Sequence, residues 1–445
     1  MLNNPALFVD LYELTMAQSY VEEKMTDEAV FSLFFRRLPR RRNFLLACGL
    51  EPVLDYLENL CFDEDDLAYL RSLGKFSESF LAYLKGFCFS GSVYAVPEGT
   101  PLFANEPILE IVAPLPEAQI VETLVMNQIH VQTLLASKAQ RVVAAAEGRP
   151  VIDFGSRRIH GIDAALKGAR AFYIAGVAAT SNLLAGKIYQ IPVAGTMAHS
   201  YVQAHADERE AFRNFVRRYP ETVLLVDTYD TIEGVRRVIE LADNLGDEFK
   251  VSAVRLDSGD LASLSGEVRA MLDQAGLDKV GIFVSGGLDE DKIARLVSSN
   301  APINGFGVGT KMGVSMDVPD LDAAYKLCEY GGAGRLKLSP GKDVMPGRKQ
   351  VFRESRDGTD IRDVVAKADE QLPGRPLLEL VMQNGRRLAQ SRQDIESIRA
   401  RAGRLVARLP EHVRGIRPSD PPYPVDFSPG LFRYRQEVEE YVRRI

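Results

Sequence analysis

The feature that most constrains the fold is a series of seven short apolar runs within residues 151–310, each followed by polar, charged or glycine-rich residues. Amphipathic stretches at residues 231–245, 260–275 and 289–298 separate several of these runs. Alternating strands and helices predict a parallel sheet with right-handed crossovers. The predicted strands are residues 151–154, 171–174, 191–194, 223–226, 251–254, 280–284 and 303–306.

This pattern predicts an α/β fold built on an irregular, seven-stranded (β/α) barrel. Seven units fit the length of the segment better than the eight units of a complete barrel. An open, doubly wound sheet is the alternative. In either fold, the residues that follow the strands gather at one edge of the sheet, where substrates bind.

The flanking regions have different patterns and define the predicted domains. Residues 1–150 form an N-terminal α+β domain, with a helix at 8–21, a strand at 29–37, a small antiparallel sheet within 89–113 and a long helix at 120–147. Residues 151–335 form the catalytic α/β barrel. Residues 336–445 form a C-terminal appendage that packs on the other two domains, with helices at 391–407 and 431–445.

Composition excludes several classes of function. The chain has 445 residues, 46% of them hydrophobic, and a formal net charge of -7, so nothing in its overall charge favours nucleic acid or a membrane surface. The spacing of its four cysteines does not match that of metal ligands, and we expect these cysteines to be reduced thiols. The first residues do not resemble a signal peptide, and no apolar stretch reaches membrane-spanning length. These features predict a cytoplasmic protein.

The residues that follow the third, fourth and fifth predicted strands carry the candidate chemistry. Thr196 and His199 follow the third, Asp227 follows the fourth, and Arg255 and Asp257 follow the fifth. Taken singly, such a histidine is more often a structural, hydrogen-bonded residue than a catalytic one. The aspartates can bind ribose hydroxyls or Mg²⁺, or they can cap helices, a role that better suits Asp230 and Asp260.

Glycine-rich turns after the two last strands predict a phosphate site. Backbone N–H groups at such turns can surround a phosphate, although glycine also simply permits a tight turn. No Walker loop is present, and the match to a dinucleotide-binding fingerprint is poor. The residues involved are Gly286, Gly287, Gly307, Gly309 and Thr310.

An arginine cluster at residues 36–42 (Arg36, Arg37, Arg40, Arg41 and Arg42) is the one strongly basic segment of the N-terminal region. It is either a solvated face or a docking surface for phosphates. Arg157 and Arg158, after the first predicted strand, can likewise supply guanidinium groups to a carboxylate or a phosphate.

Five motifs resemble those of nicotinate phosphoribosyltransferase, both in their residues and in their order along the chain. The resemblance runs from about Asp10 to Arg353 and is weaker over the last 90 or so residues. The motifs are Asp10-Leu-Tyr-Glu-Leu-Thr-Met16, Asp153-Phe-Gly-Ser-Arg-Arg158, Gly195-Thr-Met-Ala-His-Ser200, Arg255-Leu-Asp-Ser-Gly-Asp260 and Gly307-Val-Gly-Thr310.

The resemblance implies an ATP-coupled, ligase-type reaction in NAD biosynthesis. Ribose 5-phosphate is transferred from phosphoribosyl pyrophosphate to nicotinate, giving nicotinate mononucleotide and pyrophosphate. His199 matches the family's phosphohistidine, and Asp257 is the second residue assigned to catalysis. Mg²⁺ is expected at Asp227 and Asp257, and ATP is a co-substrate.

The resemblance also implies the substrate contacts. Nicotinate is expected to meet Tyr12, Phe154, Arg157, Ser181, Thr196 and Arg255. Phosphoribosyl pyrophosphate is expected to meet Asp227, Gly286, Gly287, Gly307, Gly309 and Thr310. Tyr12 is expected to reach the site from the neighbouring subunit of a homodimer.

Two other functions remain open at this stage. The first is a nicotinamide-using relative, which resembles this chain around Thr180-Ser181 but has an aspartate there. Ser181 lacks that negative charge, which suits a carboxylate substrate because like charges repel. The second is a non-catalytic, phosphate-sensing protein built on the same fold, against which His199, Arg255 and Asp257 argue.

Overall fold

The computed structural model describes residues 5–339 and 344–444, and the chain divides into two compact units. Unit 1 comprises Met1–Ser137 and Val318–Ile445, and unit 2 comprises Lys138–Asp317. Packing therefore joins both ends of the chain in one unit, whereas the domain boundaries predicted from the sequence lie at residues 150 and 335.

The N-terminal part of unit 1 contains the predicted helices and antiparallel strands. The predicted helices at 8–21 and 120–147 and the strand at 29–37 are confirmed to within a few residues. The helices are α1 (Leu11–Glu22), α2 (Leu50–Asn59), α3 (Glu64–Ser72), α4 (Glu78–Lys85), α5 (Leu115–Ile120) and α6 (Glu122–Ala145). The strands are β1 (Glu28–Phe35), β2 (Leu45–Leu46), β3 (Ser92–Ala95), β4 (Pro101–Leu102) and β5 (Pro107–Pro114).

Unit 2 is built on a six-stranded parallel sheet in the order β7-β6-β11-β10-β9-β8. Strands β9 and β10 alternate buried apolar residues with partly exposed ones, so one face of the sheet is covered and the other is more open. The strands are β6 (Val151–Asp153), β7 (Ala179–Thr180), β8 (Val223–Leu225), β9 (Ala253–Leu256), β10 (Gly281–Val284) and β11 (Gly305–Val308). The helices are α7 (Ile162–Ile174), α8 (Leu183–Tyr189), α9 (His199–Gln203), α10 (Glu208–Arg218), α11 (Thr231–Leu245), α12 (Leu261–Gln274), α13 (Glu290–Ser298) and α14 (Thr310–Gly313).

The parallel α/β prediction is confirmed, but a closed seven-stranded barrel is not. The sheet ends at β7 and β8, and the segment at 191–194 adds one parallel bridge, between Thr180 and Val193. The predicted strand at 171–174 is wrong, because these residues form the last turn of α7. A short apolar run cannot by itself distinguish a strand from the buried part of a helix.

The N-terminal aspartates of three helices in unit 2 have structural roles. Asp230 and Asp260 accept backbone N–H groups at the start of α11 and α12, which confirms their predicted role as caps. Asp289 caps α13 in the same way. Asp227 and Asp257 cap no helix, so they remain the carboxylates at these strand ends that can act on a ligand.

The C-terminal part of unit 1 completes the seven-stranded sheet that the N-terminal part begins. Strand β12 pairs antiparallel with β1 in a seven-stranded sheet of order β13-β12-β1-β5-β3-β17-β18. A four-stranded sheet has the order β16-β14-β15-β19, and β2 pairs with β4. The strands are β12 (Ala323–Tyr330), β13 (Ala333–Gly334), β14 (Lys349–Arg356), β15 (Thr359–Lys367), β16 (Arg375–Pro376), β17 (Glu379–Gln383), β18 (Arg386–Arg387) and β19 (Val425–Phe427); the helices are α15 (Ile395–Ala407), α16 (Glu411–Arg414) and α17 (Pro429–Arg444).

Candidate active site

Arg255 is the centre of a hydrogen-bonded network at the carboxyl ends of the parallel strands. Its Nη1 donates to Thr196 Oγ1 at 2.6 Å, its Nε donates to Ser285 Oγ at 2.8 Å, and its Nη2 donates to Asp257 Oδ1 at 2.9 Å. Strands β9 and β10 are neighbours in the sheet, which brings Asp257 and Ser285 together. The network therefore presents a fixed guanidinium group, 13% exposed, at the edge of the sheet.

The same network keeps Asp257 ionised. Burial acts to raise the pKa of the Asp257 carboxyl group, but hydrogen bonds from Ser285 and Arg255, together with the positive charge of Arg255, outweigh burial and lower that pKa below its ordinary value. His199 adds to the lowering. The side chain of Asp257 is 32% exposed, so the carboxylate is accessible to a ligand.

Phe154 forms the wall beside the guanidinium group. The Cζ atom of Arg255 lies 5.4 Å from the centroid of the Phe154 ring. Gly307 permits this position of the ring, because a Cβ atom at residue 307 would lie 2.6 Å from Cε2 of Phe154. A positive charge next to a partly exposed ring is suited to a flat, anionic ligand.

Asp153 fixes the backbone next to Phe154 through hydrogen bonds to its carboxylate. Its carboxylate is fully buried and accepts Thr180 Oγ1 at 2.7 Å and the N–H of Gly155 at 2.8 Å. Burial raises the pKa of this carboxyl group, although both hydrogen bonds act in the opposite direction. Asp153 therefore ties the end of β6 to the segment that carries Ser181.

His199 is the first residue of α9 and is only partly buried. Its Nδ1 lies 3.2 Å from Oγ1 of Thr228. Nε2 makes no hydrogen bond within the described residues, so this ring nitrogen is available to a ligand. Thr228 follows Asp227 in sequence, which joins the third and fourth predicted strand ends in one site.

Asp227 and Asp257 lie side by side. Oδ2 of Asp227 accepts the N–H of Asp257 at 2.9 Å and Ser258 Oγ at 2.6 Å. Oδ1 of Asp227 is buried and has no hydrogen-bond partner in the part of the chain that the structure describes. Within residues 5–339 and 344–444, no group of three or more His, Cys, Asp and Glu side chains is arranged to hold a metal ion.

The glycine turns lie at the same edge of the sheet. Gly286 and Gly287 have φ values of +92° and +62°, and a Cβ atom at residue 286 would lie 1.8 Å from the carbonyl oxygen of Asp257. Only glycine fits such a turn without moving the backbone. Gly309 precedes α14, whose first residue, Thr310, accepts Arg158 Nη1 at 3.3 Å.

Ser181, Arg157 and Tyr12 take no part in the contacts described above. Ser181 and Arg157 are exposed at neighbouring loops of unit 2. Tyr12 belongs to α1 of unit 1 and is 45% exposed. Burial and the carboxylates of Glu122 and Glu13 raise the pKa of the Tyr12 phenol.

The arginine cluster at residues 36–42 is not a uniform solvated face. Arg36 and Arg37 each form an ion pair with Asp322, both at 3.1 Å, and Arg42 is buried. The sequence patterns assign no role to Thr228 or Ser285, each of which contacts a predicted site residue. Their only signal in the sequence is position, because each lies at a strand end directly beside a residue or motif already selected.

Fold and site together define an α/β protein with a cation, an aromatic ring, a histidine and paired carboxylates at the ends of parallel strands. Residues 7–130 match the nicotinate phosphoribosyltransferase (NAPRTase) N-terminal domain, and residues 150–345 match the nicotinate phosphoribosyltransferase (NAPRTase) family.

Individual relatives give the same result. The chain is 55% identical over 423 residues to nicotinate phosphoribosyltransferase pncB2 of Mycobacterium tuberculosis, covering 95% of this chain and 91% of that protein. It is 42% identical over 378 residues to nicotinate phosphoribosyltransferase of Bacillus subtilis, covering 82% and 77%. The crystal structure of human nicotinic acid phosphoribosyltransferase matches with a TM-score of 0.86 and 28% identity, covering 96% of this chain and 99% of that one. The chain belongs to the nicotinate phosphoribosyltransferase family.

One further finding concerns membranes. Across residues 5–339 and 344–444, no helix combines the length and the apolar character needed to span a bilayer.

Proposed function

We propose that the protein transfers ribose 5-phosphate from phosphoribosyl pyrophosphate to nicotinate, with release of pyrophosphate, in NAD salvage. The observation that carries the proposal is the Arg255 guanidinium group held 5.4 Å from the centroid of the Phe154 ring. Nicotinate is a flat ring with one carboxylate, and this arrangement matches both features. Family membership supports the same substrate.

The carboxylate of nicotinate pairs with Arg255 in this proposal. A partly buried carboxylate needs a charge-assisted partner, and a guanidinium group supplies it. Thr196 and Ser285 fix the orientation of the arginine, so little side-chain entropy remains to be lost when the substrate binds. Phe154 stacks on the pyridine ring, and Arg157 and Ser181 lie at the rim.

The phosphoribosyl side of the site is assigned to the glycine turns and the paired aspartates. Gly286, Gly287, Gly309 and Thr310 bring backbone N–H groups to the strand ends, where they can hold phosphate oxygens. Gly307, which is expected in the same turn, lies inside β11 and makes room for the Phe154 ring instead. Developing charge on the departing pyrophosphate requires electrostatic stabilisation as the sugar becomes oxocarbenium-like.

The residues present fit Mg²⁺. Oδ1 of Asp227 is buried and lacks a partner, and the neighbouring Asp257 is held in its ionised form. Mg²⁺ is commonly bound through one or two carboxylates together with substrate phosphates and water. Asp227 and Asp257 would hold the ion, which would neutralise phosphate charge.

ATP coupling is assigned to His199. Because Nδ1 contacts Thr228, Nε2 is the ring nitrogen left to attack the γ-phosphorus of ATP. The N–P bond forms as the bond from that phosphorus to the bridging oxygen of ADP breaks. Asp257 stabilises positive charge on the imidazole ring, because the two groups interact electrostatically.

We further propose that the active form is a homodimer in which Tyr12 of the partner subunit completes the nicotinate site. Tyr12 is 45% exposed on α1, which supports this proposal. Mixing Tyr12→Ala with His199→Ala protein should then restore activity, because some hybrid sites contain both native residues. Failure to recover activity, with subunit exchange verified by differently tagged chains, would mean that each chain builds its own site.

One assay tests the main proposal against both alternatives. Product formation is measured from nicotinate and from nicotinamide, each with and without ATP and Mg²⁺. We expect nicotinate to be preferred and ATP to stimulate the reaction. Preference for nicotinamide would identify the protein as the amide-using relative, and absence of product from either base would favour the non-catalytic alternative.

A further inference from the structure

An ion pair between Asp289 and Lys311 joins the two glycine turns that follow β10 and β11. Nζ of Lys311 lies 2.5 Å from Oδ2 of Asp289. Asp289 lies two residues after Gly287, and Lys311 lies two residues after Gly309. Because β10 and β11 are neighbouring parallel strands, the ion pair connects the two segments directly at the carboxyl ends of these strands.

The carboxylate of Asp289 uses both of its oxygens. Oδ1 accepts the backbone N–H of Lys292 at 2.8 Å and caps α13, while Oδ2 accepts the ammonium group of Lys311. Burial acts to raise the pKa of the Asp289 carboxyl group, but the hydrogen bonds from Lys311 and Lys292 and the positive charge of Lys311 outweigh burial and lower that pKa. One ionised carboxylate therefore fixes both the start of α13 and the side chain of Lys311.

The next residue, Glu290, anchors the start of α13 to α6. Its carboxylate accepts Nζ of Lys138 and, at 3.0 Å, Nε of Arg141. The side chains of Lys138 and Glu290 are 2% and 1% exposed. Breaking a buried ion pair on one side leaves an uncompensated charge, so this anchor resists displacement. Asp289 therefore holds Lys311 from a fixed point in unit 2.

The glycine turns need anchoring of this kind. Gly286 and Gly287 both have positive φ values, and glycine loses more backbone entropy on ordering than any other residue. Gly286 packs closely on the backbone of Asp257, which restrains the turn on the side of β9. The ion pair restrains the same segment on the side of β11. Backbone N–H donors that are already ordered lose less entropy when a ligand binds.

We propose that Asp289 and Lys311 are positioning residues for phosphoribosyl pyrophosphate. Their ion pair holds the turns at 286–287 and 309–310 in the arrangement that binds phosphate oxygens. Neither side chain is assigned a contact with the substrate, because each is already paired with the other. This inference rests on the proposed function, in which the two turns hold the phosphates.

Two substitutions remove the ion pair and keep the helix cap. Asp289→Asn retains an oxygen that can accept the N–H of Lys292, and asparagine caps helices about as well as aspartate. Lys311→Met removes the charge and keeps a long side chain. Asp273→Asn is the matched control, because Asp273 pairs with Arg269 at 2.9 Å near the end of α12, a helix that leads away from this edge of the sheet.

We expect each single substitution to weaken the binding of phosphoribosyl pyrophosphate about threefold or more, as measured by isothermal titration calorimetry with Mg²⁺. The doubly substituted protein should lose little more than either single variant, because both changes remove the same contact. The KM for phosphoribosyl pyrophosphate should rise by a similar factor, while the KM for nicotinate and kcat change by less than about twofold. The Asp273→Asn protein should behave like the native protein.

Tighter binding of phosphoribosyl pyrophosphate to the Asp289→Asn protein would overturn the proposal, since the carboxylate would then only restrain a lysine that contacts the substrate. Unchanged binding in either folded variant, or losses that add in the double variant, would overturn it as well. Urea unfolding verifies that each variant is folded, and if one single variant does not fold, the other decides. A native protein that binds phosphoribosyl pyrophosphate but forms no product from nicotinate would instead count against the proposed function, and the binding comparison would still test the ion pair.

Discussion

Arg255 of unit 2 and Arg353 of unit 1 both pair with an aspartate and both approach aromatic rings, yet their surroundings differ. Arg353 and Asp363 are 0% exposed, and the guanidinium group lies 5.4 Å and 5.9 Å from the centroids of Phe103 and Tyr423. Those two rings stack on each other at 3.9 Å, so the pair is enclosed by its own unit.

The Arg255–Asp257 pair is 13% and 32% exposed at the two side chains, and it ends at an open edge of the sheet. The Cζ atom of Arg255 lies 5.4 Å from the centroid of the Phe154 ring, which is itself only partly buried. The same chemical groups therefore stabilise the fold where the protein encloses them, and we propose that they bind a ligand where one side remains exposed. Exposure, rather than residue type, separates the two roles.

The comparison predicts that the reaction takes place at the partly exposed strand ends of unit 2, where Arg255, Asp257 and His199 lie. We expect the largest effect on activity from substitution of His199. Incubation with γ-labelled ATP and Mg²⁺ should give an acid-labile, base-stable protein label that His199→Ala lacks entirely. His205→Ala is the matched control. His205 lies two residues after the end of α9, and its Nδ1 lies 2.8 Å from the backbone oxygen of Tyr201 in that helix. Equal labelling of the His199→Ala protein would remove this residue from the mechanism.

The enclosed pair should affect stability. Arg353→Met leaves the Asp363 carboxylate buried without its partner, which should lower the free energy of unfolding by about 3–5 kcal/mol. Urea unfolding followed by circular dichroism measures the change. A loss below about 1 kcal/mol would mean that the enclosed pair contributes no more than an exposed one, and the contrast between the two pairs would fail.

The open pair should affect substrate binding instead. Arg255→Ala removes the partner of the nicotinate carboxylate, at a cost of about 2–5 kcal/mol, which corresponds to a rise of roughly thirtyfold or more in the KM for nicotinate. The KM for phosphoribosyl pyrophosphate should change much less. Arg236→Ala, an exposed substitution on α11, should change neither constant. A similar rise in both KM values for Arg255→Ala would indicate a general disturbance of the site.

Local sequence patterns predict most strands of unit 2, but they do not predict the hydrogen-bonded network around Arg255. The runs at 223–226 and 280–284 are predictable as strands because they are short, β-branched and bounded by turn signals. The strand prediction for 171–174 is wrong because a helix buried on several sides is as apolar as a strand. Contacts such as Arg255 to Thr196 join residues 59 positions apart, and only the folding of the chain determines that proximity.

The smallest expected effect concerns Ser181, at the exposed rim of the open site. Ser181→Asp introduces a negative charge where the neutral hydroxyl now stands, and a solvent-exposed like charge at about 4 Å costs roughly 1 kcal/mol, or about fivefold in affinity. The ratio of nicotinate to nicotinamide use should fall by about this factor, even if absolute nicotinamide activity stays low. Ser181→Asn has nearly the same shape as the aspartate without its charge, so it should leave the ratio close to that of the native protein. If the two variants behave alike, shape rather than charge sets the preference at this position, and the nicotinate carboxylate is bound away from Ser181.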